Sequence, residues 1–239
     1  MIEFATISDK KELSALWQMT FLEDTQVIEN FFQNVFPTVV TPVISVDGEI
    51  ASSLFILPCK IGKHNGKCVY CAMTKYAYRG KGYMKQLLDF SYDYCKENNL
   101  DFLFLVPAEP SLFDYYAKCG FEKFGTSRMH TFSKNKPEEK EQIKFDCEIE
   151  FDSSVLEYWE NTCVVYDGEV TDFGLVFRDE ETVIRNAKGN YNDIPEKYKK
   201  SGIEIKGNIN FGEIYTPAMI KTANKEIKNM NCYIGITLE

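Results

Sequence analysis

Hydrophobic and polar positions alternate along the first third of the chain in two distinct rhythms. Residues 2–6 alternate as a short strand. Asp9 and Glu12 stand in capping-box spacing, and Leu13, Leu16, Trp17 and Thr20 then repeat at helical intervals. Val27/Ile28, Phe31/Phe32 and Val35/Phe36 recur at four-residue steps, which predicts a second helix from Asp24 to Phe36. Residues 39–46 and 49–61 are rich in Val and Ile on either side of Asp47-Gly48, a hairpin turn signal. The stretch from Lys63 to Gly66 is read as another turn, with a strand over 67–74 after it. From Gly82 the helical rhythm returns: Met84, Leu87, Leu88, Ser91, Tyr92 and Cys95 lie on one face. Asn98-Asn99 ends that helix, and the apolar run from Asp101 to Val106 reads as a strand buried on both faces. Pro107 stops it. A further helix carries Leu112, Tyr115, Tyr116 and Cys119, closes at Gly120, and is followed by a strand expected over 121–132.

The pattern then breaks. Residues 133–144 are nearly all charged or polar and read as a linker or exposed excursion, a solvated charge run rather than a binding tail. This divides the chain into an expected domain at 1–132, a linker at 133–144 and a smaller α+β domain at 145–239.

Charge narrows the partners. The net charge is −9 and the pI about 5.0. Nucleic acid and anionic membrane need clustered Lys and Arg, so neither is expected. An amine substrate is compatible. The chain opens without a basic stretch leading into an apolar one, and no apolar run approaches the ~20 residues that span a bilayer. The eight cysteines are read as reduced and mostly buried, in a cytoplasmic protein. Cys59, His64, Cys68 and Cys71 have some of the spacing of a metal site. Residues three apart on a strand point to opposite faces, so no metal is assigned to them.

The chemistry centres on a strand, then Arg79-Gly80-Lys81-Gly82, then a helix. A helix N-terminus offers free N–H groups and partial positive charge, and glycines let the backbone approach an anion. The Walker pattern is absent, and the dinucleotide pattern fails at its third glycine, where Lys85 stands. The run Arg79-Gly80-Lys81-Gly82-Tyr83-Met84 resembles the acetyl-CoA signature of the GNAT superfamily of N-acetyltransferases, Arg/Gln-x-x-Gly-x-Gly/Ala, with a departure at Met84. A second GNAT element follows at the expected distance, Tyr116-Ala117-Lys118-Cys119-Gly120-Phe121, for Tyr-x-x-x-Gly-Phe. The resemblance spans roughly residues 1–132, and the bulky Met84 is similar to the branch near the bacterial enhanced-intracellular-survival acetyltransferases.

The resemblance implies an α/β (α+β) fold: a mixed, mostly antiparallel twisted sheet flanked by helices, with the C-terminal α+β unit added. It implies acetyl transfer from acetyl-CoA to a primary amine by direct attack in a ternary complex. Ala72, Met73 and Thr74 would pair with the pantetheine arm, and an N–H there would polarise the thioester carbonyl. Arg79 to Met84 would hold the pyrophosphate. Tyr116 would protonate the departing CoA thiolate, with Tyr115 beside it as the competing phenol. Two bases are candidates: Glu109, after the fifth strand, and the chain-terminal carboxylate at Glu239. Two other functions stay open, a CoA-binding regulatory module without turnover and an acyltransferase for longer chains.

Overall fold

Asp47 and Gly48 both adopt positive φ, 52° and 82°, the conformation a two-residue hairpin with the strands' own twist requires. Around that turn a large sheet assembles. The computed structural model describes residues 1–178 and 182–235. In chain order these form β1 (Ile2–Phe4), α1 (Lys10–Phe21), α2 (Thr25–Asn34), β2 (Pro42–Val46), β3 (Glu49–Ile61), β4 (His64–Thr74), α3 (Tyr83–Glu97), β5 (Phe102–Leu105), α4 (Leu112–Lys118) and β6 (Glu122–Phe124). There follow β7 (Ser127–Thr131), β8 (Cys147–Phe151), α5 (Ser153–Val165), β9 (Glu169–Thr171), β10 (Gly174–Arg178), β11 (Thr182–Gly189), β12 (Glu204–Ile209), β13 (Glu213–Tyr215), β14 (Ala218–Thr222), α6 (Lys225–Lys228) and β15 (Cys232–Tyr233).

Among the described residues the first sheet runs β1-β2-β3-β4-β5-β14-β6, with β8 on β3 and β15 on β8. The second runs β13-β7-β12-β11-β10-β9. Pairing is mostly antiparallel; β4–β5, β8–β15 and β11–β12 are parallel. The fold is thus mixed α/β, as expected. One face of the first sheet packs Phe55, Leu57, Phe102 and Phe104 against Leu16, Trp17, Phe31, Tyr158 and Trp159, under α1, α2 and α5. The other packs Leu54, Ile56, Leu103 and Leu105 against Leu87, Leu88 and Tyr116, under α3 and α4. The alternation of β5, Phe102/Phe104 to one side and Leu103/Leu105 to the other, is the period-2 signature of a strand buried on both faces.

Several expected details differ. The capping box forms between Thr6 and Asp9, because the Asp9 carboxylate is taken by the Thr6 N–H at 2.7 Å. Glu12 instead accepts from the Ile50 N–H at 2.5 Å. The turn expected over 63–66 lies at Gly62-Lys63, since His64 already pairs with Ile61. Gly66 serves packing: a Cβ there would sit 2.5 Å from the Phe102 ring. The strand expected over 121–132 is two strands in two different sheets. Gly125 breaks it at φ 76°, where any side chain would collide with Ile234, 2.2 Å from its Cβ position.

The boundary expected at 132–133 does not coincide with the division between sheets. β7 joins the second sheet, whereas β14, contributed by residues 218–222, lies antiparallel between β5 and β6 of the first. The polar stretch 133–144 runs along the second sheet, with Lys140 N–H on Asn210 O at 2.6 Å and Arg128 on Glu141 O at 3.0 Å.

Candidate active site

β4 and β5 part company at the centre of the first sheet. Their parallel register runs from Gly66↔Phe102 to Cys68↔Phe104 and no further. β4 continues to Thr74 along β3, so its other edge faces a widening cleft. Within that stretch β4 carries a bulge. Tyr70 pairs with Phe55 and Met73 with Ser53, which leaves Cys71 and Ala72 together opposite Leu54. Cys71 takes up the extra residue in the left-handed region, at φ 46°.

The alternation of an antiparallel ladder sorts the three residues expected on this edge. Lys75 donates its N–H to Ala51 O at 2.9 Å, and Ser52 Oγ donates to Met73 O at 2.9 Å. Met73 therefore turns its backbone toward β3, and its side chain is buried. Ala72 and Thr74 turn theirs toward the cleft, where Thr74 O accepts from Arg79 Nε at 3.1 Å.

The turn after β4 is braced from both sides. Lys75 bridges Glu12 at 3.2 Å and Glu49 at 3.0 Å, and Tyr78 Oη donates to Glu49 at 2.8 Å. The Lys75 hydrogen bond, then that of Tyr78, holds the Glu49 carboxyl below its ordinary range. Gly80 and Gly82 follow at φ 76° and 79°. A Cβ on either would meet nothing within 4 Å, so backbone conformation and not space selects glycine. Gly82 caps α3, and the first helical bond is Gln86 N–H to Gly82 O at 3.1 Å. The amides from Gly82 to Lys85 consequently lie outside the helix's own ladder and point outward at its positive end. Arg79 and Lys81 are exposed beside them. Left-handed glycines, orphan amides and two cations form a cradle that fits a pyrophosphate, and the open edge of β4 fits an extended amide-bearing arm.

Tyr116 lies on the α3 face of the sheet, only 8% exposed, with its ring 6.1 Å from that of Phe121. Burial pushes its phenol up to about 12. Tyr115 is 37% exposed, against 8% for Tyr116, so the two neighbours are not interchangeable. The segment is tied down by Lys221 of β14, whose Nζ donates to Cys119 O at 2.9 Å and pairs with Asp89 of α3 at 2.9 Å. Glu109 is exposed, accepts from Ser111 Oγ at 3.1 Å and stands in the loop from β5 to α4. Glu239 lies outside the described residues. The bulge at Cys71, the bracing by Lys75 and the reach of Lys221 are not legible in the sequence. Only a β4 register could have revealed the first, and the others join residues dozens to more than a hundred positions apart.

The family model of the GNAT acetyltransferase domain matches residues 1–124, and the chain belongs to that family. It is therefore an acyltransferase, an N-acetyltransferase that uses acetyl-CoA. Among solved structures it is similar to a conserved protein of unknown function from Enterococcus faecalis V583, described as a probable N-acyltransferase. That likeness has a TM-score of 0.65 at 10% identity and covers 93% of this chain and 72% of that one. It is also similar to glucosamine-6-phosphate N-acetyltransferase from Arabidopsis thaliana, with a TM-score of 0.45, 19% identity, and 56% and 97% of the two chains covered. A GNAT family N-acetyltransferase from Escherichia coli in complex with CoA gives a TM-score of 0.44 at 18% identity, over 52% and 68%. No curated protein matches. Among the described residues no helix is long and apolar enough to cross a membrane.

Proposed function

We propose that this enzyme acetylates a primary amine, on a small molecule or a peptide, by direct attack within a ternary complex. Acetyl-CoA, when bound, supplies the activated acetyl thioester. The observation that carries the reading is one continuous path: an open β4 edge running into two left-handed glycines and the N-terminus of α3. Ala72 and Thr74 would hold the pantetheine arm by their backbone, with Met73 behind them supporting the strand. Arg79, Gly80, Lys81, Gly82, Tyr83 and Met84 would hold the pyrophosphate. Tyr116 would hold a proton at Oη for the departing sulfur. Its phenol is raised by burial, but the same apolar surroundings also raise a thiolate placed beside it, so the transfer stays near balance. Glu109 is a candidate to receive the proton of the amine, and Glu239 remains the other.

We further propose, from the bulky Met84 in the glycine turn, that the chain stands near the enhanced-intracellular-survival branch. Residues 127–217 leave the first sheet after β6 and return to it at β14, and on the way they supply β8 to β3 and α5 to the core beside α1 and α2. The eight free thiols suit a cytoplasmic setting. The test is chromatographic detection of CoA and acetylated product with spermidine, an aminoglycoside or a lysine-containing peptide, under saturating acetyl-CoA. Transfer to at least one amine is expected, faster than with propionyl or longer thioesters. Binding without transfer to any of them would leave a regulatory module instead.

A further inference from the structure

The half-buried lysines among the described residues have a carboxylate partner, with one exception. Lys10, Lys75, Lys199, Lys206 and Lys221 all place Nζ within 3.2 Å of a carboxylate oxygen. Lys67, on β4, is likewise half-buried, yet no carboxylate among the described residues pairs with it. Burial, the largest influence on its ammonium, pushes the pKa down, and the charge of Asp152 acts against that without forming an ion pair. A desolvated cation left in this way is unusual, because an ion pair or hydrogen bond ordinarily offsets the cost of taking the charge out of water.

Lys67 lines a cavity of about 490 Å³, walled by the end of β3, the start of β4 and the junction of β8 with α5. Small-molecule sites ordinarily occupy about 300–1,000 Å³. The cavity lies at the start of β4, whereas Thr74 and the glycine turn lie at and beyond its end. Leu100 and Phe151 give it apolar wall, and three more charged side chains line it: Lys60, Glu150 and Asp152. Lys60 and Glu150 stand directly opposite each other in the β3–β8 register, yet they form no ion pair. Asp152 holds the N-cap position of α5. An Asp there ordinarily accepts from the first-turn amides, as Asp24 does for α2, but the Asp152 carboxylate makes no such bond.

Two cations and two carboxylates thus line one cavity, and none of the four has an ion-pair partner. A purely anionic ligand would be repelled by Glu150 and Asp152, and a purely cationic one by Lys60 and Lys67. A small ligand with one charge of each sign is matched to both pairs through charge-assisted hydrogen bonds. We propose that this cavity binds a free amino acid as its zwitterion, with the carboxylate on Lys67 and the ammonium on Asp152. The amino acid is a second ligand, not the acetyl acceptor. The cavity shares no residue with the acetyl-CoA path, and Lys67 precedes Ala72 by five strand positions, roughly 16 Å.

The experiment titrates the standard free amino acids into the full chain by calorimetry, each up to about 10 mM. At least one is expected to bind one-to-one with a Kd below about 1 mM. Its amide lacks the carboxylate and its N-acetyl form lacks the ammonium, and each should bind about 10- to 100-fold more weakly. Lys67→Met should lower the amino acid to the affinity of its amide, and Asp152→Asn should lower it to that of the N-acetyl form. Each variant is read against its own capped ligands, so a loss of folded protein does not mimic the result. Saturating acetyl-CoA should leave the amino acid's affinity within about twofold. Binding of no amino acid overturns the proposal. So do capped forms that bind as tightly as the free one, wild-type affinity in both variants, or displacement of the amino acid by acetyl-CoA.

Discussion

A chain cut after Phe132 is expected to lose its fold and, with it, all acetyl-CoA binding. β14 is the reason. It lies between β5 and β6 with the registers Ile220↔Phe104 and Met219↔Lys123, so its removal leaves β6 without its strand neighbour and exposes an edge of β5. Ala218, Met219 and Ile220 are each no more than 2% exposed. The same cut removes Ile149, Val155, Tyr158, Trp159, Ile227, Cys232 and Ile234 from the core under α1 and α2. Burying each large apolar side chain contributes about 1.5–3 kcal/mol, and a native domain's whole stability is about 5–15 kcal/mol. The loss therefore exceeds what such a domain can spare. Circular dichroism and acetyl-CoA titration of the 1–132 fragment check this. A fragment that folds cooperatively and binds would mean that residues 1–132 form a self-sufficient domain.

Replacing Tyr116 by Phe is expected to lower kcat by about 10²- to 10⁴-fold while leaving acetyl-CoA affinity nearly unchanged, the range for losing a positioned proton donor. The ring is buried and the hydroxyl is the only group removed, so packing against Phe121 and the α3 face survives. With the phenol raised to about 12, the donor stays protonated across the working range. The wild-type rate should thus show no alkaline fall from this group below about pH 11. Tyr115→Phe, by contrast, removes a hydroxyl from an exposed side chain and should leave kcat within a fewfold. Equal losses from both variants, or full activity in Tyr116→Phe, would move the proton donor elsewhere.

Local chemistry made much of this legible in the sequence. Asp24, Gly80, Gly82 and Asn99 act through their own backbones or the next few residues, and cap or turn where their residue types dictate. The period-2 and period-3.6 patterns likewise report which face an element buries. What stayed hidden depends on contacts remote in sequence. Nothing near Ala218 says that its strand will separate β5 from β6, since an apolar run of five residues reads alike in either sheet. Gly66 resembles a turn residue until Phe102 is seen lying on it. Glu12 fits a capping box until the backbone of Ile50 and the side chain of Lys75 claim its carboxylate. Glu23 and Tyr166 are joined in the same way, across 143 positions.

The central claim is that the β4 edge and the glycine turn before α3 form the acetyl-CoA site. Calorimetric titration of acetyl-CoA into the full chain and into Gly82→Pro tests it most directly. Proline fixes φ near −65°, whereas residue 82 sits at φ 79°, so the substitution must rebuild the turn and redirect the amides at the start of α3. Tight one-to-one binding to the wild type, lost by at least about 100-fold in a variant that remains folded, is the predicted result. Equal affinity in the two proteins, or no binding to the wild type, would contradict it.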